Sequence, residues 1–194
     1  LYDVDFDSST IYSGVHTVYW DLEHKAPKLQ NDFISMYYSA RRGRGPDAIP
    51  GNYVIEMEVD GKSYTKPFIV AIDPRWEIPE SDLIKQYETA NIVIEMIEES
   101  QNKLKEMRNI TSQIRNYISL TEGKDFHKMI KDKGNQIISK LSEIEENLYQ
   151  NKIETSQDEI NYPRKWTNHI THLYDRITTD NQGPNDGMMN RLDE

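Results

Sequence analysis

The residues with the clearest potential for chemistry are two histidines and an aspartate near the end of the chain. His169 and His172 lie three positions apart, and Asp175 follows three positions later. On a helix this spacing puts the side chains on one face, where imidazoles can share a metal ion and a carboxylate can orient one ring. No third ligand with motif spacing accompanies them, and the neighbouring Asn168 and Thr171 indicate an outer, solvated face. We therefore predict no metal site and no cofactor.

Carboxylates are the next candidates for chemistry, because general acid–base catalysis uses them in pairs. A glycosidase needs two opposed carboxylates in a cleft, and a di-iron bundle needs Glu-x-x-His motifs, of which the chain has none. The chain also has no cysteine, no Gly-rich phosphate loop and no serine nucleophile elbow. We predict that it is not an enzyme and that the glutamates form a solvated helix face: Glu95, Glu98, Glu99 and Glu106.

A cluster of arginines and tyrosines is the best candidate for binding. Arg41, Arg42 and Arg44 lie in a glycine-containing loop, and Tyr37 and Tyr38 precede it. Guanidinium groups bind carboxylates in bidentate fashion, and aromatic and arginine side chains dominate binding surfaces. We predict a binding surface for an acidic partner or a carboxylated glycan at these five residues. The alternative interpretation is an exposed loop on an acidic protein.

Charge and hydropathy limit the classes of partner. The 194 residues carry a net charge of -10, of which residues 1–78 contribute -4 and residues 79–194 contribute -6. An acidic surface argues against a nucleic-acid or anionic-lipid partner. No apolar run approaches the roughly 20 residues of a membrane helix, so we predict no membrane insertion. The hydrophobic content of 36% fits small or elongated domains.

The elements that would position these residues change in character along the chain. From about residue 79 to 120, apolar residues recur at steps of three and four, which predicts one long amphipathic helix that stops before Gly123. Two further helical stripes follow, over 125–149 and from Trp166 to Ile177. Gly134 lies within the first of them and indicates a close helix approach. Three stripes predict an antiparallel three-helix bundle over 76–194.

Residues 1–75 follow the period of β-strands instead. Apolar residues alternate with polar ones in 2–6, 15–22 and 52–72, and Phe33 to Tyr38 allows a further strand. Asp60-Gly61 is a favoured two-residue hairpin turn. We predict an Ig-like antiparallel β-sandwich with Trp20 at the centre of its core. The fold class is thus α+β in two domains, 1–75 and 76–194.

Several short motifs in one order resemble a known family. The order is similar to that in the C-terminal region of bacterial sortilin-like or BNR (Asp-box) repeat β-propeller proteins, where a FlgD-type Ig-like module precedes helices. The motifs in this chain are Gly14-x5-Trp20-Asp21, Pro50-Gly51-Asn52-Tyr53, Val59-Asp60-Gly61-Lys62-x-Tyr64, Asp73-Pro74-Arg75, Ser81-Asp82-Leu83 and Asp158-Glu159-Ile160-Asn161-Tyr162-Pro163.

This resemblance implies a non-catalytic accessory region of an exported protein, in the periplasm, on the cell surface or secreted. Its expected role is packing against an upstream β-propeller or docking another protein. Two other functions stay open. One is a carbohydrate-binding module that uses the arginine and tyrosine cluster. The other is part of a glycoside hydrolase whose catalytic domain lies upstream, which predicts acidic or histidine residues in a pocket between the two domains.

Overall fold

The computed structural model describes residues 14–29, 44–155, 157–179 and 182–193. In these ranges two strands form one antiparallel sheet, and four α-helices follow. The arrangement is a small α+β fold. The elements are β1 (Gly51–Val59), β2 (Lys62–Val70), α1 (Glu80–Leu120), α2 (His127–Leu148), α3 (Trp166–Thr179) and α4 (Asp186–Asp193), with a single 3-10 turn at Asp158–Ile160.

The predicted Ig-like β-sandwich is wrong, because the described residues contain one sheet of two strands rather than two packed sheets. Residues 15–22 were expected to form a strand, yet they make no ladder. Val15 and Tyr19 are 95% and 89% exposed, so the alternation of this segment buries little. Leu22 has a φ of 64°, which ends any extended run. The strands predicted in 2–6 and 33–38 lie outside the described residues.

The hairpin itself follows its sequence signal. Asp60 and Gly61 both have positive φ, 51° and 72°, as a type I′ turn requires. The register pairs Tyr53 with Phe68, and Trp20 packs against both rings at centroid distances of 5.7 and 6.0 Å. Trp20 is therefore the centre of a small aromatic cluster at the base of the hairpin. Beyond that base the hairpin is largely exposed.

Helix α1 is the central element of the fold. It begins one residue after the predicted start and ends at the predicted residue, and 41 residues make it roughly 61 Å long. Neither α1 nor any other helix of the described ranges has the length and apolarity needed to cross a membrane. The N-terminal half of α1 packs into the main core, where α3 and α4 cover it: Ala90, Val93, Ile97, Ile170, Leu173, Tyr174 and Ile177, with Met188 and Leu192 at the side.

Helices α1, α2 and α3 do not form the predicted antiparallel three-helix bundle. Arg108 of α1 pairs with Glu145 near the end of α2, at 2.9 Å. Gln86, near the start of α1, donates a hydrogen bond of 2.6 Å to the carbonyl of Ile177 in the last turn of α3. Helices α2 and α3 therefore follow one another along α1, each on its own half. Only Gly134 is buried among the 22 residues of α2.

Helix α3 is more buried than its sequence suggests. Asn168 and Thr171 are buried, contrary to the outer face predicted for them. The Thr171 hydroxyl donates to the carbonyl of Thr167, and the Thr178 hydroxyl donates to that of Tyr174. Because these hydroxyls are satisfied by their own helix, a face that looks polar in sequence can be buried at little cost.

Gly134 confirms the predicted close approach of α2 to α1. A Cβ at this position would lie 2.9 Å from the Ile114 Cγ2 and Ile118 Cδ1 atoms. The line of α2 that contacts α1 therefore runs through Gly134 and the half-buried residues four positions either side, Ile130 and Ile138.

We expect Gly134→Val to separate α2 from α1, because a branched side chain has no space at this contact. The free energy of unfolding should fall by on the order of 2 kcal/mol, measured by urea denaturation followed by circular dichroism. Ser139→Val is the matched control on the exposed side of the same helix and should cost less than about 0.5 kcal/mol. Equal losses for the two variants would contradict the close approach.

Candidate functional site

Of the predicted arginine and tyrosine surface, the structure describes one residue, Arg44. Tyr37, Tyr38, Arg41 and Arg42 lie outside the described residues, so their role stays a prediction. The Arg44 guanidinium forms a salt bridge with the Glu23 carboxylate, which is only 3% exposed. This hydrogen bond raises the pKa of Arg44 above its ordinary value. The charge of Arg44 is thus already engaged within the fold.

The segment around Arg44 contacts both the segment around His24 and helix α3. We call this contact region the joint. Tyr174 Oη of α3 donates a hydrogen bond of 3.0 Å to the Arg44 carbonyl. The backbone N–H of His24 donates to the Pro46 carbonyl at 2.8 Å, and Gly45 is buried against His24. A Cβ on Gly45 would lie 1.7 Å from the His24 carbonyl oxygen. The two irregular segments around His24 and Gly45 are therefore in close contact, next to the helical core.

A cleft lies between the base of the hairpin and the start of α1, where the hydrolase alternative predicted a pocket with acidic residues. Its volume is about 270 Å³, close to the lower limit of small-molecule sites. Asp21, Asp47 and Asp73 line it, together with Trp76, which is about half exposed. Carboxylates beside an aromatic ring can accept hydrogen bonds from a sugar or attract a cation.

The carboxylates of this cleft already have partners in the fold. Asp21 Oδ1 accepts a hydrogen bond from the Glu23 N–H at 3.1 Å, which holds the turn after Trp20. Asp73 accepts hydrogen bonds from the Arg75 guanidinium, which lowers the pKa of Asp73. A general acid needs a raised pKa, so Asp73 is unsuited to that role.

His169 of α3 stands in a positively charged environment. His169 is exposed, and its pKa is lowered by partial burial and by the nearby Arg191 and Arg164. Positive neighbours disfavour a bound cation at this position. The described residues contain no group of three or more histidine or carboxylate side chains placed to hold a metal ion.

An apolar surface on the α1–α2 pair is the most extensive candidate site, and the sequence analysis did not predict it. Its members lie on one side of the two antiparallel helices, and each is between 39% and 68% exposed. We call it the apolar face: Ile110, Tyr117 and Leu120 of α1 and its end, Phe126 at the start of α2, and Met129, Ile137 and Ile144 of α2.

The apolar face arises because α2 carries two adjacent apolar stripes. The stripe through Gly134 contacts α1, and Ile137 and Ile144 lie a fraction of a turn to one side of it. In sequence the two stripes merge into the single stripe that is predicted over 125–149. A warning signal was present in the pair Ile137-Ile138, since adjacent residues point about 100° apart and cannot both face one partner helix.

The end of the α1–α2 pair is also basic, in contrast to the rest of the chain. Residues 110–144, which span the face, contain six Lys and Arg and four Asp and Glu residues, a net charge of +2. The remaining residues therefore carry -12. Lys133 and Lys140 are exposed and lie beside Ile137 and Ile144 at helical steps of three and four. The apolar face thus has a basic border.

Comparisons with protein-family models, curated proteins and solved structures find no match for this chain. The resemblance to the C-terminal region of propeller-type proteins accordingly stays a prediction drawn from short motifs. The predicted location outside the cell stays one as well.

We expect Gly45→Ala to destabilise the joint, because the added Cβ overlaps the His24 carbonyl and the two segments must move apart. A loss of about 3 kcal/mol in the free energy of unfolding is expected from such overpacking. Gly51→Ala is the control, since its Cβ would meet nothing closer than 3.9 Å. Both are measured by urea denaturation, and a Gly45→Ala protein as stable as Gly51→Ala would disprove the contact.

His24 is expected to make stability depend on pH. Burial lowers its pKa below 6.5, and its Nε2 atom is buried without a partner in the described residues. As pH falls through about 6.5, the unfolded chain takes up a proton that the folded chain resists, so the free energy of unfolding decreases. His24→Gln should therefore show a smaller loss of stability between about pH 7.5 and 5.5. Urea midpoints at the two pH values test this, and an unchanged difference would contradict it.

Proposed function

We propose that the chain is a non-catalytic docking module that binds another protein through the apolar face. The observation that carries this proposal is the exposure of seven large apolar side chains side by side on two well-formed helices. Single exposed apolar residues are ordinary on protein surfaces, but contiguous patches usually mark interaction sites.

The size of the apolar face fits a protein partner better than a small ligand. Aromatic side chains alone bury about 150–250 Å² each, so the exposed fractions of these seven residues amount to a surface on the order of 800 Å². Specific interfaces cover about 800 Å² on each partner. A face of this size is also larger than the patch of roughly 300–600 Å² that a typical monomer leaves open.

The remaining candidate surfaces support this proposal less well. The cleft beside Trp76 is small, and the carboxylates of Asp21 and Asp73 are held by backbone and arginine partners within the fold. Arg44 is engaged by Glu23. Glycan binding at the other residues of the arginine and tyrosine cluster stays a prediction that soluble-glycan titration can test.

Site-specific photo-crosslinking in cells that make the protein tests the docking proposal directly. A benzophenone amino acid replaces Ile137 or Ile144 in the apolar face, or Ser139 on the exposed opposite side of α2. We expect one discrete adduct from positions 137 and 144 and none from position 139, because only the face is covered by a partner. Circular dichroism checks that all three proteins keep their helices.

Two outcomes of this experiment would contradict the docking proposal. If positions 137 and 144 give no adduct, the face is not covered in the cell. If position 139 gives the same adducts with the same yield, the contacts are not specific to the face.

A further inference from the structure

We infer that the partner at the apolar face is an acidic amphipathic helix, which lies along the seam between α1 and α2 and completes a three-helix arrangement there. This inference rests on the proposed function, since it names the chemistry of the partner at the same surface. It draws on two features of the described residues, the spacing of the apolar side chains and the charge of their border.

The apolar side chains repeat as a third helix requires. On α1, Ile110 and Tyr117 are seven residues apart; on α2, Ile137 and Ile144 are seven residues apart. Because the two helices are antiparallel and Arg108 pairs with Glu145, Ile110 lies at the level of Ile144. A heptad repeat on both walls of a seam is the geometry into which another helix packs its own a and d residues.

The length of the seam defines the length of its occupant. Phe126 and Ile144 are 18 residues apart, which corresponds to about 27 Å of helix or five turns. The members of the face are half-exposed, so their side chains are available to the apolar stripe of another helix.

The charge of the border defines the charge of the occupant. Lys133 and Lys140 are also seven residues apart and follow the apolar stripe along its outer edge. Neither amino group forms a salt bridge with another residue of the described ranges. Charged residues beside the apolar seam of a helical bundle select partners by complementary charge. Glutamates flanking the apolar stripe of the occupant would face these two lysines.

A second copy of this chain fits the face less well. A symmetric pair would bring two regions of net charge +2 against one another, and like charges across an interface disfavour association. A membrane surface or a nucleic acid would use the basic residues, but neither would need apolar side chains at heptad spacing. Binding of any of these three in place of an acidic helix would overturn the inference.

The test uses the whole chain and three synthetic peptides of about 21 residues, which is three heptads. The first has leucine at the a and d positions with glutamate at the flanking positions, the second has lysine in place of glutamate, and the third is a scrambled form of the first. Binding is measured by fluorescence anisotropy at two salt concentrations. We expect a 1:1 complex with the acidic peptide, at least about tenfold tighter than with the lysine peptide, and weaker at high salt.

Two double variants make the test specific to the border. Lys133→Glu with Lys140→Glu should reverse the preference, so that the lysine peptide binds more tightly than the acidic one. Lys128→Glu with Lys131→Glu changes the net charge equally on another side of α2 and should keep the original preference. If both double variants act alike, only overall charge matters and the inference fails.

Other results would remove the inference, and those in which a protein occupies the face would leave the docking proposal intact. A dimer in light scattering that dissociates with Ile144→Glu would make a second copy the occupant. Binding to phosphatidylglycerol vesicles or duplex DNA, but to none of the peptides, would assign the face to that class of partner. Absence of peptide binding together with a crosslinked protein adduct at position 137 would leave a protein partner of different chemistry. Failure of the photo-crosslinking itself would remove both proposals.

Discussion

The packing of α3 against the first half of α1 is the interaction on which the rest of the structure depends. Ala90, Val93 and Ile97 are fully buried there, and Tyr174 of α3 is buried opposite them. Tyr174 also reaches beyond the helices, because its hydroxyl holds the carbonyl of Arg44. The Tyr174 side chain thus fills the helical core and also holds the irregular segment at Arg44, which contacts the hairpin region.

This core is built with few apolar residues because polar side chains contribute to it at little cost. Thr89 donates its hydroxyl to the carbonyl four residues earlier in α1, and Ser100 does so three residues earlier. Thr171 of α3 behaves in the same way. Each hydroxyl is satisfied by its own helix, so it can be buried without a partner on the facing helix. The core therefore forms in a chain whose hydrophobic content is only 36%.

Local features of the fold could be predicted from the sequence, and long-range ones could not. The ends of α1 and the Asp60-Gly61 turn each depend on residues within a few positions of one another. The close approach at Gly134 could be predicted because an interior glycine marks it, whereas its contacts, Ile114 and Ile118, could not. The β-sandwich failed because alternation in 15–22 is equally compatible with an irregular segment that buries one side chain, Trp20. Which stripe of α2 faces α1 depends on how the two helices meet, and a single helix does not encode that.

The candidate site was missed for the same physical reason. A helical stripe records that side chains are apolar but not whether a neighbour covers them, and α3 covers only the half of α1 that α2 leaves free. The net charge of the whole chain likewise conceals the local charge at the apolar face. The net charge of -10 argued against a nucleic-acid or anionic-lipid partner, yet residues 110–144 carry +2. Because exposed charges act over a Debye length of about 8–10 Å, a partner at this end of a helix roughly 61 Å long would respond to the local +2. The charge that we propose selects the partner is therefore opposite in sign to the charge of the whole chain.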